Sequence, residues 1–400
     1  MTSPHAITNL EFDPYSYEQD EDPYPIYRRM RDEAPLYYNP RLDFYALTRF
    51  EDCRAAFIDW KTFSSARGTV LELMDVDFKN TLIIFMDPPR QTALRNLVSK
   101  VFTPRRIAAL EPEIRAIACG YLDPLRETHG CDIVRDFTAN LPMDVISTLL
   151  GIPPEDRDHV RELSNAVLHR EPGSPQIPPS ALAAMPKLLA YFESALAERR
   201  TRPRDDIMTL LLQAELREPD GALRRLRDDE LCSFFNLLAT AGNETVTKFL
   251  ATAFHCLGEF PGERQRLLDD PALIPNAVDE TLRYDPPSQY QGRTLSRTVE
   301  IHGGVIPEGA KLLLINAASG RDERAFPDPD RFDVGRPIEN HVNFGWGQHI
   351  CLGKNLALLE SRIAIEEFLQ RIPHYEVDPE GIERMHSSNV RGFKGLRLRY

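Results

Sequence analysis

From Asp228 to Phe260 the sequence holds one unbroken helical pattern, and no other feature limits the possible folds as much. Asp228, Asp229 and Glu230 supply the acidic start that suits the positive end of a helix. Apolar residues then recur at three- and four-residue spacing until Pro261 stops the run. About 30 residues make a rod of roughly 45 Å, which crosses the whole of a mid-sized protein. The remaining elements must pack around it.

Those elements are mostly helical too. Pro25 to Ala34 reads as a short helix, and Pro35 to Thr48 reads as two short strands around an Asn-Pro turn. From Thr92 to the end of the long helix helical spacing dominates, broken at Gly151-Ile-Pro-Pro and Glu171-Pro-Gly-Ser-Pro. Strand-like runs return at Gly304-Val-Ile and Lys311-Leu-Leu-Leu-Ile, and a final helix from about Leu352 to Arg371 leads into an extended tail. No internal repeat or low-complexity linker divides the chain. The expected fold is mainly α with small β-sheets (α+β), with residues 1–400 forming a single domain.

Charge narrows the partners. The 61 acidic residues outnumber the 48 basic ones for a net charge of −13, which argues against nucleic acid bound through a broad cationic face. The first 24 residues carry Glu11, Asp13, Glu18, Asp20, Glu21 and Asp22 and no apolar run, so neither a secretory signal nor a membrane anchor is expected there. No apolar run of about 18 residues occurs elsewhere, so no transmembrane helix is expected and the protein should be cytoplasmic. Cysteines at 53, 119, 131, 232, 256 and 351 form no C-x-x-C pair, which disfavours a disulfide framework or structural zinc.

Cys351 stands apart. In Phe344-Gly-Trp-Gly-Gln-His-Ile-Cys-Leu-Gly it follows a glycine-rich loop and directly precedes an amphipathic helix. Gly345 and Gly347 permit a tight turn with close approach of the backbone to a flat partner. The positive helix end and its free N–H groups favour thiolate over thiol. This is a way to present a metal-binding sulfur, whereas an isolated cysteine is more often a small buried residue.

The loop resembles the haem-binding signature of the cytochrome P450 family, F-G-x-G-x-H-x-C-x-G, matched at Phe344, Gly345, Gly347, His349, Cys351 and Gly353. Upstream, Glu280-Thr-Leu-Arg283 resembles the family's E-x-x-R, and Pro329-Asp-Arg-Phe332 resembles the segment that supplies a second arginine, here Arg331. The resemblance implies the P450 fold, a long central helix over haem b (iron protoporphyrin IX) with the cysteine loop beneath. Cys351 would be the iron ligand, and Glu280, Arg283 and Arg331 a buried structural network behind the loop.

Within the long helix, Ala241-Gly-Asn-Glu-Thr-Val resembles the family's A-G-x-[DE]-T-[TS], with Val246 departing at the last position. Gly242 costs about 1 kcal/mol relative to alanine in a helix interior, which suggests a flat group passing close to the backbone. Ala241, Gly242, Glu244 and Thr245 would then border the oxygen-binding groove, the acid and the alcohol relaying protons. Haem propionates need cationic or hydrogen-bonding partners once buried. Arg293, His349 and Arg95 match positions for that task. In Met86-Asp-Pro-Pro-Arg-Gln-Thr-Ala-Leu-Arg95, Gln91 stands where the family usually has histidine.

By the same resemblance the substrate pocket would be lined by the stretches 69–85, 163–191, 234–241, 288–291 and 387–390, rich in Leu, Ile, Val, Phe and Tyr. A lipophilic substrate and dioxygen are expected. Electrons would come from a separate ferredoxin or flavodoxin with its reductase, and the protein should be monomeric. Lys100, Arg105, Arg106 and Lys354 are either a docking face for an acidic carrier or ordinary solvated charges. A haem-thiolate peroxygenase or dehydratase, and a non-catalytic haem-binding sensor, are the competing readings.

Overall fold

A computed structural model describes residues 10–74, 76, 82–171, 174, 176–385, 387 and 389–400. About 53% of the chain is helical, with small sheets, as the α+β expectation required. The long helix spans Asp228–Glu259. Glu230 closes its first turn by accepting from the Arg227 backbone N–H at 2.9 Å, and Phe260 ends it ahead of Pro261. The helices Leu141–Leu150, Pro154–Leu168, Pro179–Thr201, Ile274–Tyr284 and Lys354–Arg371 all pack against it.

The main core forms along this rod. Phe254 meets Phe368 with ring centroids 4.3 Å apart and Phe137 at 6.2 Å, while Phe235 meets Phe192 at 6.0 Å. All five rings are fully buried, each contributing about 1.5–3 kcal/mol by leaving water. The helix Lys354–Arg371 is buried over most of its circumference, including Glu360 and Glu367, so it is an interior helix and not the one-faced amphipathic helix expected.

A five-stranded sheet carries the second side of the site. Leu36–Asn39 pairs antiparallel with Phe44–Leu47, which runs parallel to Lys311–Leu314. Lys311–Leu314 pairs antiparallel with Gln291–Leu295, and Phe63–Ser64 closes the far edge. In Gln291–Leu295 alternate side chains share a face, so Gln291 and Arg293 point one way and Gly292 the other. Gly292 is required by close approach: a Cβ there would lie 3.1 Å from the Thr69 carbonyl oxygen. The C-terminal tail forms the hairpin Glu376–Arg384 and Phe393–Arg399, and its second strand packs against the long helix.

Candidate active site

The cysteine loop is built from left-handed glycines. Gly345 has φ 70° and Gly347 φ 65°, a region that side chains rarely enter. A Cβ on Gly347 would stand 3.1 Å from the Phe57 carbonyl oxygen, so the close approach that glycine allows is to the protein's own backbone. The Gly345 N–H donates to Val342 O at 2.8 Å and the Cys351 N–H to Phe344 O at 2.7 Å, which returns the chain to the start of Lys354–Arg371. Cys351 has accessible surface although protein surrounds it closely, so its sulfur opens onto interior space.

Burial pushes the Cys351 thiol up, while the N–H groups of Gly353 and Lys354 and the charges of Arg95 and Lys354 pull it down. The helix start favours thiolate as expected, but burial acts in the other direction and outweighs it. A bound metal cation would tip the balance, since coordination deprotonates a thiol outright.

The long helix shows a matching exposure. It is buried nearly all round, yet Leu237, Leu238, Ala241, Gly242 and Thr245 keep accessible surface, Ala241 the most of the five. Their spacing puts them on one stripe that borders a hollow. The Thr245 hydroxyl donates to Ala241 O at 2.8 Å on this stripe. Glu244 is turned elsewhere and pairs with Lys248 at 3.1 Å. A Cβ at Gly242 would make an ordinary 3.6 Å contact with Ile146, so among the described residues no protein neighbour demands glycine there.

Among the described residues, three basic side chains have no acidic ion-pair partner. Arg293 is 3% exposed, lies over the Phe57 ring at 5.1 Å, and donates to its neighbour Gly292 O. Burial pushes its guanidinium down to about 10. His349 is held by the Met86 backbone, and burial with Arg293 and Arg95 nearby pushes its imidazole down to about 4. Its Nε2 is buried with no partner among the described residues. Neither Arg95 nor Arg293 has an acidic ion-pair partner among the described residues, although burial disfavours both charges. Such a cluster fits a buried carboxylate-bearing group. Gln91 is buried and its amide donates to Gln348 O at 2.7 Å, so it braces the cysteine loop.

Over 402 residues the chain is 45% identical to cytochrome P450 123 of Mycobacterium tuberculosis, covering 100% of this chain and 99% of the relative. The chain belongs to the cytochrome P450 family. The family model, cytochrome P450, matches residues 264–389. The vitamin D(3) 25-hydroxylase of Pseudonocardia autotrophica is 38% identical over 351 residues, 86% of this chain and 85% of that one. The structure of CYP109E1 from Bacillus megaterium in complex with corticosterone superposes with a TM-score of 0.84 at 30% identity, covering 96% and 99% of the two chains. The protein is therefore a cytochrome P450 monooxygenase, and its cofactor is haem b. The His349 Nε2 and the two arginines, unpaired among the described residues, and the inward-opening Cys351 all fit that group.

One P450 residue was misplaced by sequence. Glu280 and Arg283 pair side-on at 2.6 and 2.9 Å with neither side chain exposed, but the second arginine is Arg336, not Arg331. The Arg331 side chain is 63% exposed, and only its carbonyl joins the network, accepting from Arg283 at 3.2 Å and Arg336 at 2.8 Å. Four residues separate the two arginines in a loop, and nothing in their spacing says which turns inward. Lys248 was also missed, because a lysine four residues after a glutamate reads as a solvated pair.

The substrate stretches come together in part. Ser288 bridges Val390, the Gln289 N–H donates to Asn389 O at 2.8 Å, and the Gln291 amide donates to Ser288 Oγ at 2.9 Å. Positions 75, 77–81, 172, 173, 175, 386 and 388 lie outside the described residues. Lys100, Arg105 and Arg106 are exposed, and the Lys354 ammonium sits 5.5 Å over the Phe344 ring. Outside the loop, a cleft of about 310 Å³ is lined by Lys354, Trp346 and Ile350 but also by Asp279 and Glu339, so this face is of mixed charge. No helix among the described residues is long and apolar enough to cross a membrane.

Proposed function

We propose that residues 1–400 act as one haem-thiolate monooxygenase domain that inserts one oxygen atom of dioxygen into a lipophilic small molecule, hydroxylation being the main outcome. The accessible stripe Leu237, Leu238, Ala241, Gly242 and Thr245 carries this reading, because it pairs apolar side chains for a substrate with one hydroxyl for proton transfer. The activities named for relatives, vitamin D(3) hydroxylation and a complex with corticosterone, support a steroid-sized lipophile. Electrons would come from a ferredoxin or flavodoxin and its reductase, with Lys100, Arg105, Arg106 and Lys354 guiding the carrier to a monomeric enzyme.

Haem bound through Cys351 supplies the oxygen-activating chemistry, the thiolate favouring O–O cleavage. Arg95, Arg293 and His349 would hold its propionates through charge-assisted bonds, with Phe344, Gly345 and Gly353 shaping the cysteine loop and Gln91 bracing that loop. Leu237 and Leu238 exclude water and seat the substrate. Thr245 accepts a proton at Oγ1 and passes its own to the reacting oxygen, and Glu244 replenishes it.

The test is product formed per nicotinamide cofactor consumed in a reconstituted ferredoxin system, with hydrogen peroxide assayed in parallel. Thr245→Ala is expected to keep fold and haem but divert reductant to peroxide, since general acid assistance is worth about 10²–10⁴-fold in rate. Coupling equal to the parent's would remove Thr245 from the relay.

A further inference from the structure

The acid of the relay has a partner that its motif does not contain. Lys248 lies one turn beyond Glu244, with Nζ 3.1 Å from Oε1 and the two side chains only 7% and 12% exposed. A glutamate four residues before a lysine is the favourable order on a helix, and enclosure makes the pair costly to break from one side. The tail closes over it: a Cβ at Gly392 would lie 2.5 Å from Lys248 Cβ, so the backbone of the final turn rests on the lysine stem. Among the described residues, Glu244 is the one carboxylate within ion-pair reach of this ammonium.

Thr245, by contrast, faces the hollow and bonds to Ala241 O. Successive residues on a helix are turned by about 100°, and no hydrogen bond joins Glu244 to Thr245 among the described residues. Acid and alcohol are adjacent in sequence but held apart in space. The lysine is what holds the acid.

We infer that Lys248 is a positioning residue: its ammonium holds the Glu244 carboxylate in an ion pair away from Thr245, and the relay runs only when this ion pair opens. The inference rests on reading Glu244 and Thr245 as the relay. The proton balance is closed. With the pair open, Glu244 takes a proton from solvent hydronium, whose O–H bond breaks to leave neutral water while an O–H bond forms at the carboxyl. On delivery that bond breaks, the proton joins Thr245 Oγ1, and the hydroxyl proton of Thr245 leaves for the reacting oxygen. Glu244 returns to carboxylate and re-forms its pair with Lys248. No electrons move in these steps.

The test uses the haem-loaded protein with Lys248→Met, Lys248→Arg, Glu244→Gln, Thr245→Ala and the Glu244→Gln/Lys248→Met double variant. The first readout needs no turnover: the infrared stretching band of carbon monoxide added to the reduced protein senses charge and hydrogen bonding beside it. Lys248→Met is expected to shift this band by releasing the carboxyl, and the double variant to return it to the parent position. The second readout is oxygen consumption driven by a ferredoxin system in ordinary and heavy water. Lys248→Met should raise consumption several-fold and shrink the solvent isotope effect, Lys248→Arg should rescue the parent values, and Glu244→Gln should slow consumption and enlarge the effect. A Lys248→Met protein with the parent's band and isotope effect overturns the inference. So does one that behaves like Glu244→Gln, since the lysine would then feed the relay instead of restraining it. If Glu244→Gln and Thr245→Ala themselves leave the isotope effect unchanged, the relay reading falls first and this inference with it. Should Lys248→Met not fold, a parent-like Lys248→Arg beside an altered Lys248→Gln decides the same point.

Discussion

Arg336 Nε lies 3.2 Å from Glu280 Oε1, on the same buried carboxylate that Arg283 grips side-on. Arg336 also donates to the Asp328 and Arg331 carbonyls at 2.9 and 2.8 Å and so ties the loop ahead of the cysteine segment to the helix Ile274–Tyr284. Arg336→Ala removes one of the two guanidinium groups on the buried Glu280 carboxylate and the donor to the Pro327 carbonyl, and is expected to cost on the order of 3 kcal/mol, whereas Arg331→Ala, on an exposed side chain, should stay within about 0.5 kcal/mol. Urea unfolding of the two haem-loaded variants checks this. Equal losses would mean that Arg336 is not the structural arginine.

Cys351→His removes the only sulfur in the signature loop. The expected outcome is either loss of haem or a reduced, carbon-monoxide-bound spectrum without the thiolate signature. An unchanged spectrum would assign the ligand elsewhere.

Gln91 donates to Gln348 O from a buried position, while Arg95 and Arg293 are cations with no acidic partner among the described residues. Charge-assisted bonds are roughly twice as strong as neutral ones. Gln91→Ala should therefore retain haem better than Arg95→Ala or Arg293→Ala, as measured by the rate of haem transfer to an acceptor protein. Fastest loss from Gln91→Ala would reverse the ranking.

His255, packed 4.8 Å from the Phe393 ring, is pushed down to about 4 by burial, with Arg384 and Arg391 adding to the effect. Its ordinary value is near 6.5, so as pH falls the unfolded chain takes the proton first. The stability from keeping His255 neutral is complete above about pH 6.5 and lost by about pH 4. Asp20, raised to about 6 by burial, acts in the opposite sense over the same window, because there the folded state binds the proton first. His255→Gln isolates one contribution. Between about pH 7 and 4.5 the variant should lose less stability than the parent, by up to roughly 3 kcal/mol. Parallel pH profiles of unfolding would show that the imidazole is not buried neutral.

The sequence by itself determined the elements whose signals are local. A run of helical periodicity framed by Asp228 and Pro261 can form only one long rod, and Gly345 and Gly347 ahead of Cys351 announce a turn that few other residues could make. The helix Tyr24–Glu33 and the strands Leu36–Asn39 and Phe44–Leu47 were legible for the same reason. Gln291–Leu295 was not legible as a strand, because Gly292 and Arg293 have little strand preference and its state depends on the strands at either side. Side-chain direction belonged to the tertiary structure. Arg331 and Arg336 are chemically identical, and only the packing around Glu280 decides which one turns inward. Glu244 and Thr245 read as one motif, yet Lys248 and the tail over it separate them. Spacing along a chain sets which residues share a face, but the partner on that face is set by how the elements pack, and burial then sets what each charge is worth.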